Sequence, residues 1–196
     1  MVSDEDWRSP RHHGVFSHSR AGHLDSRLRR FIYRPGRLAE RYVKQGDRVL
    51  DFGCGPGFFT REFAKLVGDT GLVIAVDLQE EMLQILREKL GPEGLLSRIR
   101  THRCEPDAIG LSPELDGGVN AAFAIFVVHE VPDPGRLFRE IATLLVPGGL
   151  LFISEPPFVV NGREFRETVS LAQEAGLVLV ETKFFFVNRA TVLRKG

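Results

Sequence analysis

Apolar residues in this chain follow two rhythms. From Gly46 onward, short continuous apolar runs alternate with stretches whose apolar positions recur every three or four residues. Residues 48–52, 72–77, 121–128 and 149–154 are continuous runs, as expected for parallel strands covered on both faces. Residues 98–103 form a weaker, charge-flanked run that suits a sheet edge. Between them, Phe59, Phe63, Leu66 and Val67 mark one helical face, and Met82, Ile85, Leu86 and Leu90 another. Asp133 as N-cap and Pro134 at the first helical position open a third helix, with Leu137, Phe138, Ile141 and Leu145 inside. Phe165, Val169 and Ala172 mark a fourth, closed by Gly176. Residues 177–187 and 189–194 meet at Asn188 as two strands close enough to pair antiparallel. Alternating strand and helix predicts an α/β fold with a doubly wound sheet.

Residues 1–45 break this rhythm. They begin with Asp4, Glu5 and Asp6 and then carry His12, His13, His18 and His23. Residues 26–43 read as helical but are interrupted by Pro35 and Gly36, which predicts two short helices. The division is therefore a tail with a helical cap over 1–45 and a main domain over 46–196. The histidine spacing does not make a metal site.

Composition narrows the function. The chain has 196 residues, with 26 Lys and Arg against 26 Asp and Glu. That length fits one domain with a substantial core. Balanced charge argues against a protein that coats nucleic acid. No apolar run is long enough to span a membrane, and the first twenty residues lack the apolar core of a secretory signal. Two cysteines, Cys54 and Cys104, make neither a disulfide framework nor a four-cysteine zinc site, so the expected compartment is the cytoplasm.

The sharpest local signal is VLDFGCGPG at residues 49–57. It follows a strand, precedes a helix, and sits where open α/β sheets bind ligands. Gly53, Gly55 and Gly57 allow a backbone to approach a ligand closely. The glycine spacing fits neither a dinucleotide fingerprint nor a Walker A loop. Asp51 would repel a pyrophosphate but suits an ammonium group. Asp77, ending the second strand, can accept both hydroxyls of a ribose. A ligand with a ribose, no phosphate and a positive charge is expected, and S-adenosylmethionine meets all three conditions.

These segments resemble the class I S-adenosylmethionine-dependent methyltransferases. VLDFGCGPG is similar to their motif I, VIAVD at 73–77 to motif II, and LVPGGLL at 145–151 to the motif before the fifth strand. The resemblance spans residues 46–194 and is strongest to the small-molecule branch related to quinone-biosynthesis methyltransferases. It implies a Rossmann-like, seven-stranded sheet whose last strand is antiparallel. It also implies roles. Gly53, Cys54, Gly55 and Gly57 would line the methionine part of the cofactor, and Asp51 would face its amino group. Asp77 would bind the ribose and Leu78 would pack on adenine. Glu105, in RCEPD at 103–107, matches the acidic position near the adenine amino group, with Asp107 as rival. Ala124 and Phe126 match positions whose backbone approaches the cofactor. Asn120 stands where the family carries Asp, a structural position.

The end of the fourth strand reads FVVHEV at 126–131. His129 is the candidate general base, because its reference pKa of about 6.5 lies near working pH. Glu130 would orient it or bind a polar acceptor. The competing reading makes His129 a bond to loop backbone. Glu155, Pro156 and Pro157 read as a rigid loop or a border of the acceptor pocket. Phe184, Phe185 and Phe186 read as core plus one exposed ring.

The leading expectation is an enzyme that methylates a small-molecule acceptor. An RNA or protein methyltransferase is the runner-up, and a non-catalytic S-adenosylmethionine-binding protein is the third reading. Charge distribution keeps the runner-up alive. Residues 1–48 carry 11 Lys and Arg against 6 Asp and Glu, whereas residues 49–196 carry 15 against 20. The overall neutrality is a cancellation between a basic cap and an acidic core.

Overall fold

Seven strands form one sheet: β1 (Arg48–Phe52), β2 (Leu72–Asp77), β3 (Ile99–Arg103), β4 (Val119–Ile125), β5 (Leu145–Glu155), β6 (Leu177–Phe185) and β7 (Asn188–Lys195). The computed structural model describes residues 33–111 and 113–196. Strand order is β3-β2-β1-β4-β5-β7-β6. β1, β2, β3, β4 and β5 pair in parallel. β7 runs against both β5 and β6, so six strands share a direction and the last opposes them. The charge-flanked β3 lies at an edge, as its composition predicts.

Among the described residues five α-helices complete the layers: α1 (Pro35–Tyr42), α2 (Thr60–Val67), α3 (Glu80–Leu90), α4 (Pro134–Leu144) and α5 (Gly162–Glu174). The period-two geometry of a strand divides its side chains between two cores. Leu50, Ile74 and Val76 join Leu137, Phe138 and Phe165 of α4 and α5 on one face. Val49, Val73 and Ala75 join Leu38, Phe63 and Leu86 of α1, α2 and α3 on the other. Burial on both faces explains why these strands read as continuous apolar runs. Aromatic rings bind the second face: Phe63 stacks on Phe123 at 4.3 Å, and Phe123 reaches Phe152 at 5.9 Å.

Several boundaries differ from the sequence expectation. The break expected at Pro35 and Gly36 falls at Arg34, which has φ 42° between helical Tyr33 and α1; Pro35 opens α1, because proline at the first position has no needed N–H to lose. The other predicted helix of residues 26–43, and the acidic and histidine-rich tail, lie outside the described residues apart from its last positions. Leu145 begins β5 instead of ending α4. β4 stops at Ile125, and Val128–Glu130 forms a short 3-10 turn. Asp133 caps α4 by accepting from Arg136 N–H at 2.9 Å. Phe185 is the packed member of its triplet, against Phe59 and Phe152. Phe184 and Phe186 are 74% and 57% exposed, so two rings face out instead of one. No helix among the described residues is long and apolar enough to cross a membrane.

Candidate functional site

Strand order reverses between β1 and β4, which opens a crevice at their carboxyl ends. Such a reversal is where open α/β sheets place ligands. The glycine loop enters this crevice. Gly53 and Cys54 donate their N–H groups to the Val76 carbonyl at 2.9 and 3.0 Å, hanging the loop on the end of β2. Gly53 has φ 70°, and a Cβ there would lie 2.4 Å from Val127 Cγ2. The loop after β1 therefore passes directly against the segment after β4. A Cβ on Gly57 would meet Leu86 of α3 at 2.9 Å. Gly55 differs. Its φ is 52°, and a Cβ would meet nothing within 4 Å, so the loop faces open space at this point.

Two carboxylates flank that space. Asp51 lies on β1 itself, within the 48–52 run, and is 2% exposed. Its Oδ2 accepts from the Thr60 hydroxyl at 2.6 Å. Burial pushes its pKa up to about 7, helped by the charge of Asp77 and opposed by Thr60. Asp77 ends β2, accepting from Gly55 N–H at 2.8 Å and Gln79 N–H at 2.9 Å. Burial raises its pKa as well, against these backbone bonds. No Lys or Arg occurs between residues 49 and 60. The crevice thus holds acceptors that gain from a cation or from hydroxyl donors.

The remaining expected cofactor positions surround this pair. Leu78 follows Asp77 and packs on the core. Cys104 N–H donates to the Asp77 carbonyl at 3.0 Å, which brings the loop carrying Glu105 beside β2. Glu105 is exposed, while its rival Asp107 is engaged by Arg136 Nη1 at 2.8 Å. Ala124 is buried within β4, between Phe52 and Ile153. Phe126 has φ 62° and donates its N–H to the Ser154 carbonyl at 2.8 Å. A non-glycine residue in that region is costly and clusters at functional sites. Both thiols are poor nucleophiles: burial pushes Cys54 well up and Cys104 to about 12. Asn120 accepts from Arg48 N–H at 2.8 Å, tying β4 to β1 as a structural position should.

His129 sits in the 3-10 turn after β4, and its orientation comes from Glu155. That residue is 1% exposed at the end of β5. Its Oε2 lies 2.6 Å from His129 Nδ1. Its Oε1 accepts from Val128 N–H at 2.8 Å and His129 N–H at 3.3 Å. Glu130 lies farther away, 3.8 Å from Nε2. The orienting carboxylate is therefore Glu155, not Glu130, and Glu155 ends a strand instead of forming a rigid loop. Parallel register held the clue: Ile125 pairs with Ser154, so the residues following both strands emerge side by side. Burial pushes the His129 ring toward its neutral form. The hydrogen bond and charge of Glu155, with the charge of Glu130, outweigh it and leave the pKa above 6.5.

A sequence family described as "Methyltransferase domain" matches residues 49–149. The chain belongs to the class I S-adenosylmethionine-dependent methyltransferases. A crystal structure of a S-adenosylmethionine-dependent methyltransferase from Aquifex aeolicus is 26% identical, covering 93% of this chain and all of that one, with a TM-score of 0.83. The ubiquinone/menaquinone biosynthesis C-methyltransferase UbiE of Pasteurella multocida is 33% identical over 113 residues, 58% of this chain and 41% of its own length. The Escherichia coli UbiE shows the same identity over the same stretch, 44% of its length. The chain thus spans less than half the length of these curated relatives.

S-adenosylmethionine is the cofactor of this methyltransferase family, and the crevice passes a test of fit. Gly55 borders space that a side chain would fill. The buried Asp51 gains a counter-charge from an ammonium group. Asp77 can accept hydroxyl hydrogens.

Proposed function

We propose that this methyltransferase acts on a small-molecule acceptor bearing an ionisable hydroxyl, with His129 as general base. The observation that carries this is the Glu155–His129 pair at the mouth of the crevice. Bound S-adenosylmethionine supplies a methyl group already activated by its sulfonium. Asp77 and Asp51 hold the ribose and amino ends, and Gly53, Cys54, Gly55 and Gly57 line the methionine part. Leu78 packs on adenine, Glu105 meets its amino group, and Ala124 and Phe126 present backbone. The chain's remaining task is to orient the acceptor, exclude water and take a proton.

Glu155 fixes Nδ1 as the protonated nitrogen, which leaves proton transfer to Nε2. Removing the proton of a phenolic hydroxyl makes the oxygen, or the ring carbon beside it, a nucleophile. The relatives named as C-methyltransferases of quinone biosynthesis favour carbon as the attacked atom. Glu130, 3.8 Å from Nε2, adds negative charge that steadies the imidazolium once formed.

Turnover of a phenolic acceptor library, read alongside calorimetric binding of S-adenosylhomocysteine, tests the assignment. His129→Ala should lower turnover at least about a hundredfold, the usual contribution of a positioned base, with cofactor affinity unchanged. Unchanged turnover would reject His129 as the base. Tight cofactor binding with no transfer to any acceptor would favour a non-catalytic binding protein.

A further inference from the structure

A cleft of about 380 Å³ lies between α1 and the β6–β7 hairpin, a size that suits a small molecule. Its walls combine positive charge with aromatic rings. Arg37 and Arg41 come from α1, four residues apart and so on one helical face. Lys183 and Phe185 come from β6, and Tyr33 and Tyr42 also line the cleft. Among the described residues one carboxylate serves this group: Glu181 meets Arg41 at 3.3 Å and Lys183 at 2.6 Å. The Arg37 guanidinium has no carboxylate partner among the described residues. Lys183 Nζ stands 4.6 Å over the Tyr42 ring and 5.7 Å over Phe152. Lys183 also donates to the Tyr42 hydroxyl, and burial, and then Arg41, pull its pKa down to about 8.

The cleft is coupled to the crevice. Tyr33 lies 5.4 Å from the Phe126 ring and 6.0 Å from Phe186. Phe126 is the strained residue that follows β4, three positions before His129. The hairpin turn sits at the carboxyl end of β5, since Glu155 pairs with Arg189. The aromatic wall of the cleft therefore touches, through Tyr33, the segment that leads from β4 to His129.

We propose that this cleft receives the anionic end of an aromatic methyl acceptor, with Arg37 and Lys183 as counter-charges and Tyr33 and Phe185 against its apolar body. The inference rests on the small-molecule reading above and adds a substrate class to it: aryl carboxylates, or aryl phosphates and sulfonates of similar size. The small volume of the cleft favours a single small anion over a phosphate backbone, which needs a longer track of contacts.

The test uses the full chain saturated with S-adenosylhomocysteine. Binding of 1-naphthoate is compared by calorimetry with binding of its neutral analogue, 1-naphthalenemethanol. Naphthoate should bind about tenfold tighter or more, and added salt should shrink the difference. Arg37→Gln and Lys183→Met should each remove most of that advantage and leave the affinity for 1-naphthalenemethanol unchanged. Arg37 is exposed, so its variant reads binding without a folding penalty, and S-adenosylhomocysteine affinity checks the Lys183 variant. Equal affinities, absent naphthoate binding, or indifference to both substitutions would overturn the proposal. Salt-sensitive binding of a single-stranded RNA oligonucleotide that depends on these residues, with no naphthoate binding, would overturn it in favour of RNA. Loss of transfer in His129→Ala with naphthoate binding intact separates the fate of the base assignment from that of the cleft.

Discussion

Asp51 carries a cost that only a ligand relieves. A carboxylate in the middle of a sheet loses its hydration, and the hydroxyl and backbone N–H of Thr60 do not replace it. Its pKa rises from 3.8 to about 7, so the folded state prefers the protonated form. Stability is then fully present below the unfolded value and is lost as pH climbs through about 7. Between pH 4 and 8, the unliganded protein should lose on the order of 4 kcal/mol relative to Asp51→Asn. Chemical denaturation of the two proteins across that range checks it, and parallel pH curves would refute it. An ammonium group beside Asp51 reverses the preference, so cofactor affinity should improve as pH rises through 7.

His129 titrates under the opposite influence, from neighbouring carboxylates. Because Glu155 and Glu130 raise its pKa, the ring must shed a proton before it serves as a base. Turnover should climb with pH through a value above 6.5. Glu155→Gln keeps an acceptor for the Val128 and His129 N–H groups and removes the charge. The inflection should move to lower pH and kcat should fall about tenfold or more. A structural role for Glu155 alone would change stability and leave the inflection in place.

At the scale of elements, the site is the contact between two turns. Gly53 and Gly55 are two residues apart in one loop and answer to different demands. At Gly53, the loop after β1 touches Val127 after β4, and any Cβ collides. Gly53→Ala should cost about 3 kcal/mol or more, from positive φ and overpacking together. At Gly55 only the φ penalty applies, about 1–2 kcal/mol, but the new methyl enters the open side of the loop. Denaturation and S-adenosylhomocysteine calorimetry separate them: Gly53→Ala mainly destabilises, whereas Gly55→Ala mainly weakens binding. Equal losses of stability would contradict the open face of Gly55. The glycine pattern was visible in the sequence, but not which glycine faces a neighbour and which faces a ligand, because that depends on a turn 74 residues away.

Whole-molecule behaviour follows from a crevice that exists only when the sheet is assembled. A ligand that binds only the folded state at a hundred times its Kd adds about 2.7 kcal/mol. For a chain of this size that is a rise in Tm of about 5–10 °C, expected with saturating S-adenosylhomocysteine. Asp77→Ala should remove about half of the shift or more at the same ligand concentration, since losing one or two charge-assisted bonds weakens binding about tenfold or more. An unchanged shift would contradict the ribose role of Asp77. The charge division of the chain also takes shape at this scale. Arg41 of α1 pairs with Glu181 of β6, one direct link between the basic N-terminal part and the acidic sheet. The helical cap itself lies mostly outside the described residues.

Pattern and motif alone determined the sheet, its order of strand and helix, the ligand-bearing loop and the chemical type of the cofactor. They could do so because strand burial, helical spacing and a glycine turn are local properties of backbone and side chain. Tertiary structure decided what the chemistry-bearing residues touch. Glu155 became the partner of His129, Thr60 the partner of Asp51, and α1 a charged wall against Lys183. Each of these pairs joins positions that are distant or unpatterned in the chain. Only the register of β4 on β5, the packing of α2 on β1, and the docking of α1 on the last hairpin bring them within hydrogen-bond reach.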